Sequence, residues 1–178
     1  FPYTTLFRSA RGGAALLTIG ETGIHSRTDA CHPRMAHLDD PGLLPSLTRL
    51  VDSVHQYDTF VSIELVHSGR RAHPAYLPED GEVWGPSPSV NHYGAEVKEM
   101  TENMMDEIAD AYAEAAFMAK FAGVDMVMIH GGHGWLLDQF LSPLNNKRTD
   151  QYGGSLENRA RFPIMVLDRV RERCGKNF

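Results

Sequence analysis

The chain has little cysteine, no excess of positive charge and no long apolar run, and each shortage removes a class of protein. Cys31 and Cys174 are its two cysteines and stand far apart, which leaves no disulfide framework and no cysteine knuckle for zinc or an iron-sulfur cluster inside this segment. Lysine and arginine number 17 against 23 aspartates and glutamates, a formal charge of -6. Nothing there offers a basic footprint to nucleic acid or to an anionic membrane. No apolar run approaches the roughly 20 residues that cross a bilayer, and no basic start with an apolar core marks a secretory leader. The default location is therefore cytoplasmic.

What is present suits one buried core: 178 residues, 42% of them hydrophobic. The chain begins at Phe1 and ends at Phe178, just after a Gly-Lys-Asn turn signal where a further strand is due. It reads as an internal piece of a larger protein. Residues 1–9, FPYTTLFRS, carry no clean period and are set aside as non-native or disordered, leaving a domain over 10–178.

Apolar runs over Ala14–Ile19, Phe60–Val66 and Val124–Ile129 predict buried strands. Leu44, Leu47, Leu50, Val51 and Val54 recur at helical spacing, which predicts a helix over Pro41–Asp58. Thr101 is placed to cap a helix running to Phe121, closed by Gly123. Ser155 caps a last helix to about Arg173, in which Pro163 marks a bend or a late start. The connection His67–Val97 holds Pro74, Pro78, Pro86 and Pro88 and exceeds the usual ceiling of roughly 12 to 15 residues for a structureless loop. It reads as a lid or substrate-facing wall containing short strands or turns. The strand-helix alternation is a repeating β/α unit. Three strands do not close a barrel of about 250 residues, so the pattern fits either an open doubly wound sheet or less than half of a barrel, and the ending at Phe178 favours the second.

Chemistry concentrates where strands stop. His130 and His133 follow the third run directly, and two neutral imidazoles over one pocket can donate hydrogen bonds to a carbonyl oxygen and stabilise charge developing on it. As metal ligands they would need a third, such as Asp29, Glu64 or His92, and HxxH outside a helix is a weak metal signal. Glu64 interrupts an apolar strand, which is expensive without a partner. It reads as a hydrogen-bonding group for the polar edge of a planar heterocycle, or as one half of a salt bridge to Arg70 or Arg11. Arg70 is a candidate for stabilising an anionic group. Arg148, Asp150, Asn158 and Arg159 read as a lock on the loop before the last helix.

These segments resemble a known family. HGGHGWLLDQFLSPLNNKRTDQYGGSLENRARF resembles the signature of the old yellow enzyme family, the NADH:flavin oxidoreductases, while SIELVHSGRRAHP and LLTIGETGI resemble its third-strand and second-strand segments. The likeness covers about Arg11 to Phe178. It implies an α/β fold, a TIM (β/α)8 barrel, present as an internal fragment covering about strands 2 to 4 and their helices. It further implies FMN as cofactor, NAD(P)H as electron donor, and hydride transfer to or from a carbon-carbon double bond beside a carbonyl. His130 and His133 match the pair that holds the substrate oxygen. Glu64, Gly20 and Glu21 match positions against the flavin, and Arg70 and Trp135 fall beside the substrate.

Two residues depart from the family pattern. Glu64 replaces the usual glutamine with an acceptor-only carboxylate when ionised. Trp135 stands where the family has a proton-donating tyrosine, and indole is no practical acid. The branch with IELVHSG and HGGHGW looks like enoate and 2,4-dienoyl-CoA reductases and bile-acid 3-oxo-4-desaturases. Some of these carry a 4Fe-4S cluster and FAD in C-terminal regions beyond this segment. The implied partner is a small enone or enoyl-thioester, and a homo-oligomer is compatible with the resemblance. The competing classes are a metal-dependent TIM-barrel hydrolase using the same histidines, and a non-catalytic fragment.

Overall fold

The computed structural model describes residues 3–178. Its helices are α1 (Tyr3–Arg11), α2 (Leu44–His55), α3 (Glu102–Phe121), α4 (Leu136–Leu141) and α5 (Leu156–Cys174). Its strands are β1 (Leu16–Gly23), β2 (Ala36–His37), β3 (Phe60–Val66), β4 (Val83–Gly85), β5 (Ser89–Val90), β6 (Glu96–Glu99) and β7 (Met126–Ile129). The main sheet has the order β2-β1-β3-β7 and all of its pairs are parallel. Successive parallel strands require crossovers, and α2 and α3 supply them.

Alternation along β3 fixes the two faces of the sheet. Val61, Ile63 and Leu65 point into the core with the α2 residues Leu47, Leu50 and Val51 and the α3 residues Ile108, Tyr112 and Ala116. Burying each of these large aliphatic side chains contributes about 1.5–3 kcal/mol. Phe60, Met126 and Met128 stand exposed on the other face. Thr101 caps α3 by accepting the Met104 N–H at 3.3 Å. The final helix is continuous from Leu156 to Cys174 with Pro163 inside it, so it does not start late.

Three expectations are corrected. The fold is not an isolated internal fragment of strands 2 to 4. It is a TIM-barrel-like α/β arrangement that spans nearly the whole chain, beginning with α1 ahead of the first strand. Residues 3–9, set aside in the sequence reading, are helical. Leu6 and Ala10 join the main core, and Phe7 meets Tyr57 edge-on with ring centroids 5.3 Å apart. Pro2 and Phe1 lie outside the described residues. The loop after His133 is also not all irregular, because α4 occupies Leu136–Leu141 and buries Leu136, Leu137 and Phe140.

The long proline-bearing connection builds a second sheet of order β4-β6-β5, with β4 and β6 parallel and β5 antiparallel to β6. It is tied to the last loop by Arg148, whose buried guanidinium donates from Nη1 to the carbonyls of Met100 at 2.7 Å and Pro86 at 3.2 Å. Arg148 also donates to Asp150, Nη2 reaching Oδ2 at 2.5 Å. Arg159 Nε donates to the Leu141 carbonyl at 2.6 Å, while Asn158 serves the start of α5, its N–H meeting Ser155 Oγ at 3.2 Å.

Candidate active site

The parallel register decides which side chains meet at the carboxyl edge of the main sheet. Glu64 pairs with Met128 across β3 and β7, so its side chain and that of His130, two residues beyond Met128, emerge on the same face. On the other side of β3 the register of β1 slips between Ile19 and Thr22, and Glu21 takes a left-handed φ of 46°. This irregularity turns the Glu21 N–H toward Glu64, whose Oε2 accepts it at 3.1 Å. Glu64 Oε1 lies 3.0 Å from Nδ1 of His130. The carboxylate thus bridges the ends of β1 and β7 and contacts neither Arg70 nor Arg11. A Cβ added at Gly20 would lie 3.4 Å from Glu64 Oε2, so glycine there keeps the surface beside the carboxylate open.

His130 Nε2 in turn lies 3.3 Å from His133 Nδ1, with the two rings 5.2 Å apart. Glu64 and His130 are largely sheltered, their side chains 17% and 14% exposed, while His133 is exposed. His133 also has a left-handed backbone, φ 55°. For a non-glycine residue that conformation is uncommon and calls for support. Arg71 provides it, Nη1 donating to the His133 carbonyl at 2.6 Å. The same guanidinium lies over the Trp135 ring, 5.3 Å from its centroid. Glu64, His130 and His133 form a linear series, Glu64 against His130 and His130 against His133, and do not converge on one point. Among the described residues no group of three or more His, Cys, Asp or Glu is placed to hold a metal ion, and His92 instead packs on Tyr93.

Arg70 is engaged elsewhere. Its Nη1 donates to Asn145 Oδ1 at 2.7 Å and its backbone N–H to Gln139 Oε1 at 3.0 Å. Gln139 is fully buried and donates from Nε2 to the carbonyls of Ser68 at 3.0 Å and Gly134 at 2.7 Å. It therefore joins the end of β3 to the turn that carries the histidines. Sequence reasoning did not single out Gln139 or Arg71. Gln139 lies inside the QFLSP motif, and a polar residue in an otherwise apolar LLDQFL helix was the available signal.

Beneath this layer sits a buried polar network. Asp29 Oδ1 accepts from the Ser68 N–H at 2.7 Å and Ser68 Oγ at 2.5 Å, and Oδ2 accepts the Ile24 N–H at 3.3 Å. It ties together the segments that follow β1 and β3. Burial pushes its carboxyl up to about 6, against the lowering effect of the Ser68 hydrogen bonds. His67 Nδ1 accepts the Gly69 N–H at 3.0 Å, which leaves Nε2–H to donate to Thr28 Oγ1 at 2.9 Å. Thr28 then donates to His25 Nδ1 at 2.7 Å. Burial holds His67 well below the usual histidine range, helped by the nearby His25 and His37. Burial also lowers His25, against the opposing pull of Glu107.

Beside β1 an open depression of about 550 Å³ is lined by Thr18, Gly20, Glu21 and His32 among others. The histidines, the carboxylate and Gly20 thus gather at the carboxyl edge of a parallel α/β sheet, the edge at which barrel enzymes build their active sites. The chain matches the NADH:flavin oxidoreductase / NADH oxidase family over residues 4–178 and belongs to it. It is 34% identical over 173 residues to an NADH oxidase of Thermoanaerobacter brockii, an alignment covering 95% of this chain and 26% of that protein.

Among solved structures it superposes on Old Yellow Enzyme from Pichia sp. AKU4542 with a TM-score of 0.91 and 31% identity, over 98% of this chain and 48% of that one. On 2-naphthoyl-CoA reductase in complex with 2-naphthoyl-CoA the TM-score is 0.89 and the identity 29%, over 99% of this chain and 28% of that one. These superpositions overturn the expectation of an isolated strand 2 to 4 fragment, because the likeness includes α1 and the second sheet. The chain spans about a quarter of the length of the first curated relatives it matches, 26% and 25%.

Proposed function

We propose that this chain carries part of the active site of an FMN-dependent oxidoreductase acting on the carbon-carbon double bond of an enone or enoyl-type substrate, with NAD(P)H as electron donor. The observation that carries the reading is the Glu64–His130–His133 series at the carboxyl edge of the sheet, in a chain that belongs to this family. The names of its relatives lend support, one being an NADH oxidase and another a reductase complexed with an aryl-CoA thioester. FMN, when bound, supplies hydride exchange at N5 with the substrate β-carbon.

This chain's residues do the rest. Gly20 leaves room for a flat ring to approach, and Glu64 keeps lone pairs on both oxygens for the N–H edge of an isoalloxazine. Glu21 serves through its backbone by fixing the Glu64 carboxylate. His130 and His133 stabilise the negative oxygen that forms when the substrate becomes an enolate. Trp135, beside His130 with ring centroids 6.3 Å apart, forms an apolar wall of the substrate site, and Arg70 braces that site by way of Asn145 and Gln139.

Within this segment Cys31 faces Met35 and Cys174 lies against the Ala113 carbonyl, and among the described residues neither is grouped with other metal-ligating side chains. No described helix is long and apolar enough to cross a membrane.

The test is reconstitution of the full-length protein that contains this chain with FMN, followed by stopped-flow absorbance. The bound flavin is expected to be bleached by NADH or NADPH and reoxidised anaerobically by 2-cyclohexenone or crotonyl-CoA. His133→Ala is expected to slow reoxidation about 10²–10³-fold through loss of an oxyanion donor. A preparation that takes up no flavin sinks the reading.

A further inference from the structure

His133 stands exposed in the turn His130–Gly134, three of whose five residues are glycine. Such a stretch has little of its own to hold a shape. A Cβ at Gly131 or Gly132 would meet nothing within 4 Å, and His133 and Gly134 both take left-handed backbones, φ 55° and 76°. Yet all four polar backbone atoms of the two peptide groups flanking Gly134 are engaged. The His133 carbonyl accepts from Arg71 Nη1 at 2.6 Å, and the Gly134 N–H donates to Asp138 Oδ2 at 2.7 Å. The Gly134 carbonyl accepts from Gln139 Nε2 at 2.7 Å, and the Trp135 N–H donates to the Gly132 carbonyl at 3.2 Å. Three of these four partners lie outside the turn. Because each peptide group is planar, fixing the two planes fixes the torsions between them, and with them the place from which the His133 ring projects.

Gln139 is the fully buried member of this set and serves two segments at once. Besides the Gly134 carbonyl, Nε2 donates to the Ser68 carbonyl at 3.0 Å, and Oε1 accepts the Arg70 N–H at 3.0 Å. Reversing the amide would set its oxygen against two carbonyls and its nitrogen against an N–H, so the partners fix its orientation. Methionine, of similar length, supplies no donor there, and glutamate supplies at most one. Ser68 and Arg70 bracket Gly69, which is left-handed at φ 56° and whose missing side chain leaves room for the amide, since a Cβ there would collide with Oε1. We propose that Gln139 and Asp138 are positioning residues for His133: from α4 they hold the peptide planes beside Gly134, and so keep the imidazole where the substrate oxygen gathers charge. This rests on the double-bond reduction proposed above. Their effect on the reaction passes through the backbone of His133, and a misplacement of about 1 Å at such a site costs up to roughly 10²-fold in rate.

The experiment is a double-mutant cycle on the FMN-loaded full-length protein that contains this chain. Gln139→Met and Asp138→Ala are each made alone and on top of His133→Ala. Asp138 is half-buried, so its variant tests the same turn from a side where folding is less at stake. Stopped-flow reoxidation of the reduced flavin by 2-cyclohexenone is expected to slow about tenfold in each single variant, within the range that misplacement produces. On top of His133→Ala the same changes are expected to cost less than about twofold, because the residue they position is gone. Full additivity overturns the proposal. Val166, fully buried in α5, supplies the control: Val166→Ala is expected to lower the thermal midpoint and keep the rate. An equal slowing in that variant makes the loss one of stability and also overturns the proposal.

Hydrogen exchange read by mass spectrometry answers without turnover. The peptide over residues 130–137 is expected to exchange about tenfold faster in Gln139→Met than in the wild type, with α5 unchanged, as local rather than global opening requires. Unchanged exchange in that peptide, or equal acceleration in α5, overturns the proposal. If the wild-type flavin binds and is reduced but 2-cyclohexenone does not reoxidise it, the double-bond reading falls and the positioning role falls with it. A wild type that turns over while the cycle is additive leaves that reading standing and removes only the role of Gln139 and Asp138.

Discussion

Arg71 supports His133 and covers Trp135 with one side chain, its Nη1 2.6 Å from the His133 carbonyl and its guanidinium carbon 5.3 Å from the indole centroid. The hydrogen bond stabilises a left-handed backbone and the stacking fixes the adjacent aromatic wall. Arg71→Ala is expected to lower kcat/KM for enone reduction about tenfold, the sum of a charge-assisted hydrogen bond and an exposed cation–π contact reduced by solvent screening. Because Arg71 is exposed, the thermal midpoint is expected to move little. Steady-state kinetics and a melting curve on the same preparation check both statements, and a large fall in midpoint with unchanged kinetics refutes the assignment.

Gly153 and Gly154 are adjacent but constrained by different forces. A Cβ at Gly153 would lie 2.1 Å from the Arg148 carbonyl oxygen. That backbone cannot retreat, because Arg148 is anchored to Met100 and Asp150. At Gly154 the space is open and only the φ of 78° resists a side chain. Gly153→Ala is expected to cost about 3 kcal/mol or more and Gly154→Ala about 1 kcal/mol. Urea unfolding of the two variants measures the order, and the reverse order contradicts the packing described.

Asp29 and His67 respond to acid in opposite directions. The folded-state carboxyl of Asp29 is raised from 3.8 to about 6, so its contribution is fully present below the ordinary value and is lost as pH rises through about 6. His67 is lowered from 6.5, so its contribution is present above that value and is lost as pH falls through the lower folded-state value. Asp29→Asn keeps an acceptor for Ser68 and removes the titration. The stability advantage of wild type over Asp29→Asn is therefore expected to shrink by up to roughly 3 kcal/mol between pH 3.8 and pH 7.5, following the pKa rise at 1.36 kcal/mol per unit. Denaturant unfolding across that range checks it, and a constant difference between the two proteins removes Asp29 as the cause.

The elements legible in the chain are those long enough to show a period. Helices α2, α3 and α5 and strand β3 fall close to their expected places because each buries a face of apolar side chains, and β7 does so with only Val127 and Ile129 partly buried against the core. Helix α4 is six residues long and the strands of the second sheet two to four, too short for a period to emerge from surrounding Pro, Gly and Ser. Helix α1 was missed because FPYTTLFRS is read as an unpatterned start until Leu6 and Ala10 find α2 and β1 to pack against. Within the site, His130, His133, Glu64, Gly20 and Glu21 were named from residue type and motif, and the structure brings them to one sheet edge. Arg70 was named with them and instead binds Asn145. Its neighbour Arg71 reaches the histidine turn, a choice made by the short helical turn Gly69–Arg71.

The sequence by itself determined the kind of chemistry, because imidazoles, a strand carboxylate and glycines at the ends of apolar runs are properties of local order, and so is the family motif that contains them. Only the tertiary structure decided the partners. Whether Glu64 pairs with an arginine or with His130 depends on the parallel register that sets it opposite Met128 and on the slip in β1 that turns the Glu21 N–H toward it. Those contacts join residues distant in the chain, and no local pattern specifies them until the strands lie side by side.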